Sequence, residues 1–311
     1  MRIARSVAIA MTVIIIWIIP ISAAAQAPDL SGIWTNATLT PFERPREFAG
    51  KEFFTRDEAV AFEREARERN NGDRRDVNAE ADLAVGYNDF WWDRGTRVAS
   101  TLRTSIIVDP ADGRLPALTP DAQKKAAARA EARRLHPADG PENLTLGDRC
   151  IARPGPPIVP VGYNNNHRIV QTQEYVLIFS EMMHDARIIP LDNRPHLPDN
   201  VRLWFGDARG HWEGNTLVVE TTNFTDKTNF RGSGQNMRLI ERFTRIDPDT
   251  LLYQFTVNDP ESFERPWSGE IPMKKTPGPI FEYACHEGNY SMLNTLTAAR
   301  DEEAREALDK H

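Results

Sequence analysis

The sequence predicts a mainly β protein in which an antiparallel meander closes as a barrel or a sandwich, with helical segments inserted in the N-terminal half. Two observations predict this class. Residues 148–290 read as one β-rich run after another, including short runs at 202–205 and 280–285, and turn signals such as 214–215 (Gly-Asn) and 247–249 (Asp-Pro-Asp) separate them. The turns follow one another at short intervals, which favours antiparallel neighbours over βαβ units.

Composition restricts the class of protein further. Of the 311 residues, 40% are hydrophobic and 27% are charged, a balance too apolar for a disordered chain and too charged for a multi-span membrane protein. The net charge of −7 argues against an extended nucleic-acid interface, so no nucleic-acid partner is expected.

The N-terminus has the pattern of a secretory signal peptide. Arg2 and Arg5 precede an apolar run, 7–19, that is shorter than the roughly 20 residues a membrane-spanning helix needs. Small residues follow, and an A-x-A pattern ends at Ala25, where we expect cleavage. Loss of segment 1–25 removes two positive charges and changes the net charge from −7 to −9. The mature protein is therefore expected to be acidic, periplasmic or secreted, and without a stable membrane anchor.

Two helices are predicted in the N-terminal half. Segment 55–70 is amphipathic, and Thr55 and Glu58 have the spacing of a capping box. Segment 119–135 is rich in Ala and Arg and begins with Thr-Pro, which places proline in the first turn. Segment 101–118, between the helices, reads as a β-hairpin.

The expected organisation is a single β-barrel domain, 26–311, with a helical insertion at about 55–135. The alternative is an N-terminal region, 26–147, followed by a separate β domain, 148–311. A charged and solvated helix is expected at 301–309.

Cys150 and Cys285 are the only cysteines, and export would place them in an oxidising compartment. A disulfide between them is expected, and it would close a loop of about 135 residues. In the chain-entropy description, a loop of that length stabilises the fold by about 4–5 kcal/mol. The alternative is two buried free thiols.

Two sequence features resemble the lipocalins and the wider calycin superfamily. The first is the G-x-W motif Gly32-Ile33-Trp34 at the start of the first predicted strand, and the second is the hairpin at 212–221. The resemblance implies a calycin-like barrel with the tryptophan closing its bottom. The chain departs from an ordinary lipocalin in its length and in the helical insertion.

A closer resemblance covers nearly the whole mature chain. It is carried by YNDFWWDRGT (87–96), YNNNHRIVQT (163–172), EMMHDARIIPLDNRPH (181–196), WEGNTLVVETTNFTDKTNFRG (212–232) and FEYACHEGNY (281–290). These segments look like those of an uncharacterised family of exported bacterial proteins. The likeness implies secretion and a shared fold, and it transfers no activity and no catalytic residue.

The densest group of candidate catalytic residues lies at 181–187. If the strand there is unbroken, alternation puts Glu181, Asp185 and Arg187 on one face and His184 on the other. A carboxylate–arginine pair would bind an anion or polarise a carbonyl, and a histidine beside a carboxylate is suited to acid–base catalysis near neutral pH. The alternative is a hairpin turn at His184-Asp185 with solvated polar groups.

A second group of candidate catalytic residues ends the last predicted strand, where His286 and Glu287 follow Cys285. A disulfide at Cys285 would hold this segment rigidly, as a preorganised site requires. The alternative is a well-capped turn. The two groups would form one site if they met at the barrel mouth.

Charged and aromatic residues of the late strands suggest a ligand pocket. An inward lattice of Arg and Glu, including Arg187 and Glu241, would make a polar pocket with aromatic walls, and an outward ladder of salt bridges is the alternative. The candidate ligand-binding residues are Trp204, Trp212, Trp267, Tyr283, Arg242 and Glu282.

Metal and cofactor chemistry is not expected. The available donors do not form H-x-H, H-E-x-x-H or H-x₃-H; they are His184, Asp185, His196, His211, His286 and Glu287. No G-x-S-x-G, G-x-G-x-x-G or P-loop motif is present, so serine-hydrolase, nicotinamide and ATP chemistry are disfavoured as well.

Three functional hypotheses follow. The favoured one is an exported barrel protein that binds a small, largely apolar molecule, because of the G-x-W motif, the meander and the aromatic content. The alternative is a cofactor-free acid–base enzyme of the hydratase, isomerase or lyase type that uses the barrel interior. The third is an interaction protein with a surface groove.

Overall fold

The structure is a computed structural model that describes residues 27–74, 80, 88–152, 155–228 and 230–309. The expected signal peptide, 1–25, lies outside the described residues, as does Tyr87 at the start of the YNDFWWDRGT segment.

The described residues form one antiparallel sheet, which confirms the mainly β class and the meander. Along the sheet the order is β5-β4-β3-β1-β10-β9-β8-β7-β6, and β2 pairs with β10 as well. The strands are β1 Gly32–Thr35, β2 Ile107–Asp109, β3 Asn166–Gln171, β4 Tyr175–Ser180, β5 Ala186–Pro190, β6 Asp207–Glu213, β7 Thr216–Thr222, β8 Arg238–Asp247, β9 Thr250–Asn258 and β10 Trp267–Thr276.

The first two predicted helices are confirmed: α1 spans Arg56–Arg69 and α2 spans Pro120–Leu135. The Thr55 hydroxyl accepts the Glu58 N–H at 3.3 Å, and the Glu58 carboxylate accepts the Thr55 N–H at 2.8 Å, which completes the predicted capping box. The third helix, α3, spans Tyr290–Asp309 and begins well before the predicted 301. None of the helices in the described part of the chain has the length and apolarity to cross a bilayer.

The predicted hairpin at 101–118 is wrong, because only Ile107–Asp109 is a strand and its partner is β10. The preceding backbone bonds to an earlier loop instead: Thr104 N–H donates to Glu52 O, and Ile106 N–H donates to Pro41 O. The amide donors that a local hairpin would need are thus already paired.

Two short predicted strands are also wrong. Segment 202–205 forms only an isolated bridge, Leu203 with Phe224. Segment 280–285 has no strand partner, because Phe281 N–H and Tyr283 N–H donate to side chains of the turn between β4 and β5.

The interior of the curved sheet is filled by large apolar side chains. Trp34 and Trp267 are fully buried, and the Trp34 indole N–H donates to Leu30 O at 2.9 Å. Phe243, Tyr253 and others complete one core to which nearly every strand contributes. A smaller apolar cluster lies under α1 and includes Phe54 and Val98.

The two ends of the sheet, β5 and β6, approach one another through side chains. Among the described residues no backbone ladder joins them, so the sheet is not closed by hydrogen bonds. Gly210 in β6 lies against β5, because a Cβ built there would come within 2.8 Å of Ile189 Cγ2 and 2.9 Å of Leu191 Cδ2. Only glycine allows this close approach.

The predicted disulfide between Cys150 and Cys285 is confirmed. It joins the segment before α3 to the loop that precedes β3. Asn289 Nδ2 adds a hydrogen bond of 2.7 Å to Asp148 O beside the bridge. The C-terminal segment is therefore fixed to the middle of the chain.

Removing the disulfide is expected to lower the free energy of unfolding by about 2–5 kcal/mol, because the bridge restricts the unfolded chain over a sequence separation of 135 residues. Urea unfolding of the native protein and of Cys150→Ser/Cys285→Ser measures the difference. Reductant should lower the midpoint of the native protein and leave that of the double variant unchanged. Equal midpoints for both proteins without reductant would contradict the prediction.

Candidate active site

The segment 181–187 does not continue as a strand but forms a turn, as in the hairpin-turn alternative, and its polar groups are buried or half-buried rather than solvated as that alternative expected. β4 ends at Ser180, a single 3-10 turn follows, and β5 begins at Ala186. Met183 and His184 both have left-handed backbone conformations, with φ of 62° and 52°. Ser180 N–H donates to Asp185 O at 2.8 Å and closes the turn.

Glu181 holds the turn in place. Glu181 is only 1% exposed, and its carboxylate accepts hydrogen bonds from protein donors instead of from solvent. One carboxylate oxygen accepts Phe281 N–H at 2.8 Å, and the other accepts Asn166 Nδ2 at 3.0 Å. Because its acceptor capacity is used by the fold, Glu181 positions its neighbours and is poorly placed to exchange a proton with a ligand.

The His184 side chain also accepts a backbone hydrogen bond from the C-terminal segment. Tyr283 N–H donates to His184 Nε2 at 2.9 Å, and Phe281 O lies 2.9 Å from the same nitrogen. One ring nitrogen cannot accept and donate at once, and an amide N–H is always a donor, so Nε2 is the acceptor. The His184 ring also packs on Phe179, with centroids 5.4 Å apart.

The two predicted catalytic groups do not meet in one site, and only backbone groups that precede the second group reach the turn. Phe281 and Tyr283 contact the turn, whereas His286 and Glu287 are exposed beyond the disulfide. Neither of these two side chains lines the cavity described below.

A buried ion pair crosses the interior of the sheet. Arg187 of β5, 8% exposed, pairs through both terminal nitrogens with Glu241 of β8, which is 0% exposed. The Tyr253 hydroxyl donates to Glu241 Oε1 at 2.9 Å and accepts Ile158 N–H at 2.9 Å. Burial favours loss of the Arg187 proton, but the Glu241 charge and hydrogen bond outweigh burial and raise the pKa of Arg187, so this guanidinium keeps its charge. Burial, followed by the Glu241 charge, raises the pKa of Tyr253 well above its usual value.

His167 lies on the same interior face, directly opposite Ser180 in the β3–β4 ladder. Its Nδ1 is 3.0 Å from Ser180 Oγ. Burial, helped by the positive charge of Arg187, lowers the pKa of His167 to about 3. The imidazole is therefore neutral at physiological pH.

Asp185 is half-buried at the end of the turn, and burial raises the pKa of its carboxyl to about 7. The nearby guanidinium of Arg187 is already paired with Glu241. Asp185 therefore gains and loses its proton near neutral pH, which is the property of an acid–base catalyst.

Three residues that line one cavity each have a buried polar atom without a hydrogen-bond partner. These atoms are His167 Nε2, Asp185 Oδ2 and Arg187 Nε. Buried polar atoms are normally paired, so three unpaired atoms around one cavity indicate a site for a polar group. The cavity measures about 20 Å³, room for one water molecule or one carbonyl group. Its apolar walls include Pro156, Ile158, Met182 and Phe205.

This arrangement joins an acid–base group to hydrogen-bond donors. Arg187 Nε–H is always a donor, and Asp185 accepts or donates a proton according to pH. When Ser180 O–H donates to His167 Nδ1, the neutral imidazole carries its proton on Nε2 and becomes the second donor. Such a set can move a proton while it stabilises negative charge on an oxygen atom.

The predicted ligand-binding residues are not brought together around this cavity. Trp267 belongs to the core, Trp204 and Trp212 are half-buried, and Tyr283 stacks on Tyr163 at 6.3 Å. Of the charged members, Arg242 pairs with Glu213 at 2.8 Å and Glu282 is exposed.

Both alternatives for the arginine and glutamate residues occur. Arg187 and Glu241 point inward, whereas Arg242 with Glu213 and Arg265 with Asp109 are outward salt bridges. The inward position of Glu241 follows from its alternation with the buried Leu239 and Phe243 along one strand. Sequence reasoning missed His167, Ser180 and Tyr253, which carry no local motif.

Neither a search for metal ligands nor comparison with known proteins assigns a function to this site. No group of three or more His, Cys, Asp or Glu side chains suited to a metal ion occurs among the residues that the structure describes. Comparison of the chain with protein-family models, curated proteins and solved structures found no match.

The pKa of Asp185 predicts a pH dependence of stability. Its pKa is about 7 in the fold and about 3.9 in an unfolded chain, so the folded state holds the proton more tightly between these values. The stability that Asp185 contributes is thus present below pH 4 and is lost as the pH rises to 7. The lowered pKa of His167 makes the free energy of unfolding rise with pH up to about pH 6.5, which opposes the effect of Asp185. The contribution of Asp185 is therefore measured as the difference in stability between the native protein and an Asp185 variant.

Urea unfolding from pH 4 to pH 8 of the native protein and of Asp185→Asn measures that difference. The stability of the native protein relative to Asp185→Asn should fall across this range. Asp226→Asn, which makes the same chemical change at an exposed position, is the matched control and should show no such trend. A flat difference for Asp185→Asn would contradict the assignment.

The buried ion pair predicts an asymmetry between single and double variants. Arg187→Met leaves Glu241 buried without its counter-ion and should lower the free energy of unfolding by about 3–5 kcal/mol. Arg187→Met/Glu241→Gln removes that charge, keeps an acceptor for Tyr253, and should recover part of the loss. Urea unfolding at pH 7 measures both variants, and a double variant no more stable than the single one would contradict the prediction.

Proposed function

We propose that this protein is a cofactor-free acid–base enzyme that moves a proton next to a carbonyl group of a small substrate. The observation that carries the proposal is the set of three unpaired buried atoms, His167 Nε2, Asp185 Oδ2 and Arg187 Nε, around one small cavity. A substrate carbonyl would occupy the volume that suits one water molecule, and the rest of the substrate would remain at the mouth.

In this proposal the Asp185 carboxylate removes a proton from the carbon next to the carbonyl. The electron pair of the broken C–H bond moves to the carbonyl oxygen, where Arg187 Nε–H and His167 Nε2–H donate hydrogen bonds to the developing negative charge. Asp185 then returns the proton to the same or an adjacent carbon, which gives exchange or isomerisation, or to a hydroxyl group on the β-carbon that departs as water, which gives elimination. A pKa of about 7 lets Asp185 act in both directions near neutral pH.

Packing of the interior favours this enzyme hypothesis over binding of an apolar molecule. Trp34, Tyr253 and Trp267 pack in the interior of the curved sheet. They would have to move to admit an apolar ligand there. The binding hypothesis stays a prediction that this packing does not support.

The proposal also includes export of the protein and a calycin-like barrel fold. The Cys150–Cys285 disulfide is consistent with an oxidising environment, and the pattern at 1–25 favours export to the periplasm or beyond. The contact of Gly210 with Ile189 supports a calycin-like barrel that closes through side chains. We infer an exported enzyme that uses the mouth of this barrel.

Hydrogen–deuterium exchange into small carbonyl compounds tests the activity. The protein is incubated in D₂O with hydroxyacetone, acetoin and pyruvate, and loss of the α-proton signals is followed by NMR. Exchange should exceed that in buffer for at least one compound and should rise with pH through a midpoint near 7. Asp185→Asn should slow the exchange by about 10²–10⁴-fold, the usual contribution of a positioned acid–base group.

Asp226→Asn serves as the matched control, since it makes the same chemical change at an exposed aspartate. It should exchange as fast as the native protein. Equal rates for the native protein and Asp185→Asn with all three compounds would contradict the proposed function for this class of substrate.

A further inference from the structure

A second, larger cleft lies between α1 and the loop that follows β1. Its volume is about 460 Å³, within the range of small-molecule sites, and it is separate from the Asp185 cavity although Val161 borders both. Apolar side chains supply much of its wall, among them Leu39, Phe42, Phe62 and Ile106.

The charge of this cleft has one sign. Arg69, Arg94 and Arg231 line it, and its lining among the described residues includes no carboxylate. In the described part of the chain no salt bridge involves any of these three arginines. Burial lowers the pKa of Arg94, and the charge of Asp89 opposes that effect only in part.

Aromatic rings hold two of the guanidinium groups at the cleft. Arg94 Cζ lies 3.7 Å from the ring centroid of Trp92, and Arg231 Cζ lies 4.2 Å from that of Phe42. Arg94 also donates to Asn70 O at 2.9 Å. Arg231 has a left-handed backbone, φ 56°, a conformation that costs a non-glycine residue free energy and persists only where the surrounding structure holds it. These cations are thus positioned before any ligand arrives.

We propose that this cleft binds a small organic anion, with a carboxylate or phosphate held by the three arginines and an apolar or aromatic body packed on Phe42 and Phe62. Guanidinium groups suit both oxyanions, since their planar forks match carboxylate and phosphate oxygens. The site is independent of the Asp185 cavity, and its test does not depend on the proposed activity.

Isothermal titration calorimetry at constant ionic strength tests the proposal with benzoate, phenyl phosphate and inorganic phosphate, and benzamide is the neutral match for benzoate. Benzoate or phenyl phosphate should bind, and benzamide should bind at least about tenfold more weakly because it lacks the charge. The stronger of the two aromatic anions identifies the oxyanion that the site prefers.

Arg231→Gln and Arg69→Gln, both at exposed positions, should each weaken binding by about tenfold. Arg129→Gln makes the same change on the exposed face of α2 and should bind like the native protein. Thermal melting of each variant verifies that it is folded. Equal affinities for benzoate and benzamide, inorganic phosphate that binds as tightly as phenyl phosphate, or an Arg231→Gln variant with unchanged affinity would each overturn the proposal.

Discussion

The interior of this protein depends on the ion pair between Arg187 and Glu241. Arg187 comes from one end of the sheet and Glu241 from a strand near the other end, so the pair can form only when the sheet curls. Two charges at this depth are tolerated because each compensates the other, and Tyr253 uses part of the remaining acceptor capacity. Tyr253 in turn accepts Ile158 N–H, which fixes the segment that covers the cavity.

The same pair determines what chemistry the cavity can support. Glu241 engages both terminal nitrogens of Arg187, and Nε is the guanidinium nitrogen that has no hydrogen-bond partner. The guanidinium is then a fixed donor, and Asp185 keeps a pKa near 7 that burial sets. The charge of Arg187 also helps to keep His167 neutral, so one buried cation influences two of the three cavity groups.

Local and long-range contacts share the task of holding Asp185. Glu181 and His184 flank it on the turn, and both accept backbone N–H groups from the segment before α3. The disulfide at Cys285 fixes that segment further along the chain. Glu181 and His184, which look catalytic in the sequence, therefore serve to position Asp185, whose buried Oδ2 has no hydrogen-bond partner.

Features that depend on neighbours in the chain could be predicted. The capping box at Thr55 and Glu58 follows from a spacing of three residues, the strands from their alternation and turns, and the disulfide from the fact that only two cysteines exist. The group at 181–187 was recognised by its density of charged residues, but the roles of its members could not be separated, because each role is set by a partner some 15 to 100 residues away.

The sequence by itself determined the β class, the meander and the first two helices, since these rest on local propensity and pattern. Only the tertiary structure decided that His167, Asp185 and Arg187 share a cavity, because burial and pairing depend on strands that are distant in the chain. The pKa of a carboxyl group reflects the removal of water around it, and no stretch of sequence near Asp185 specifies how much water the fold excludes.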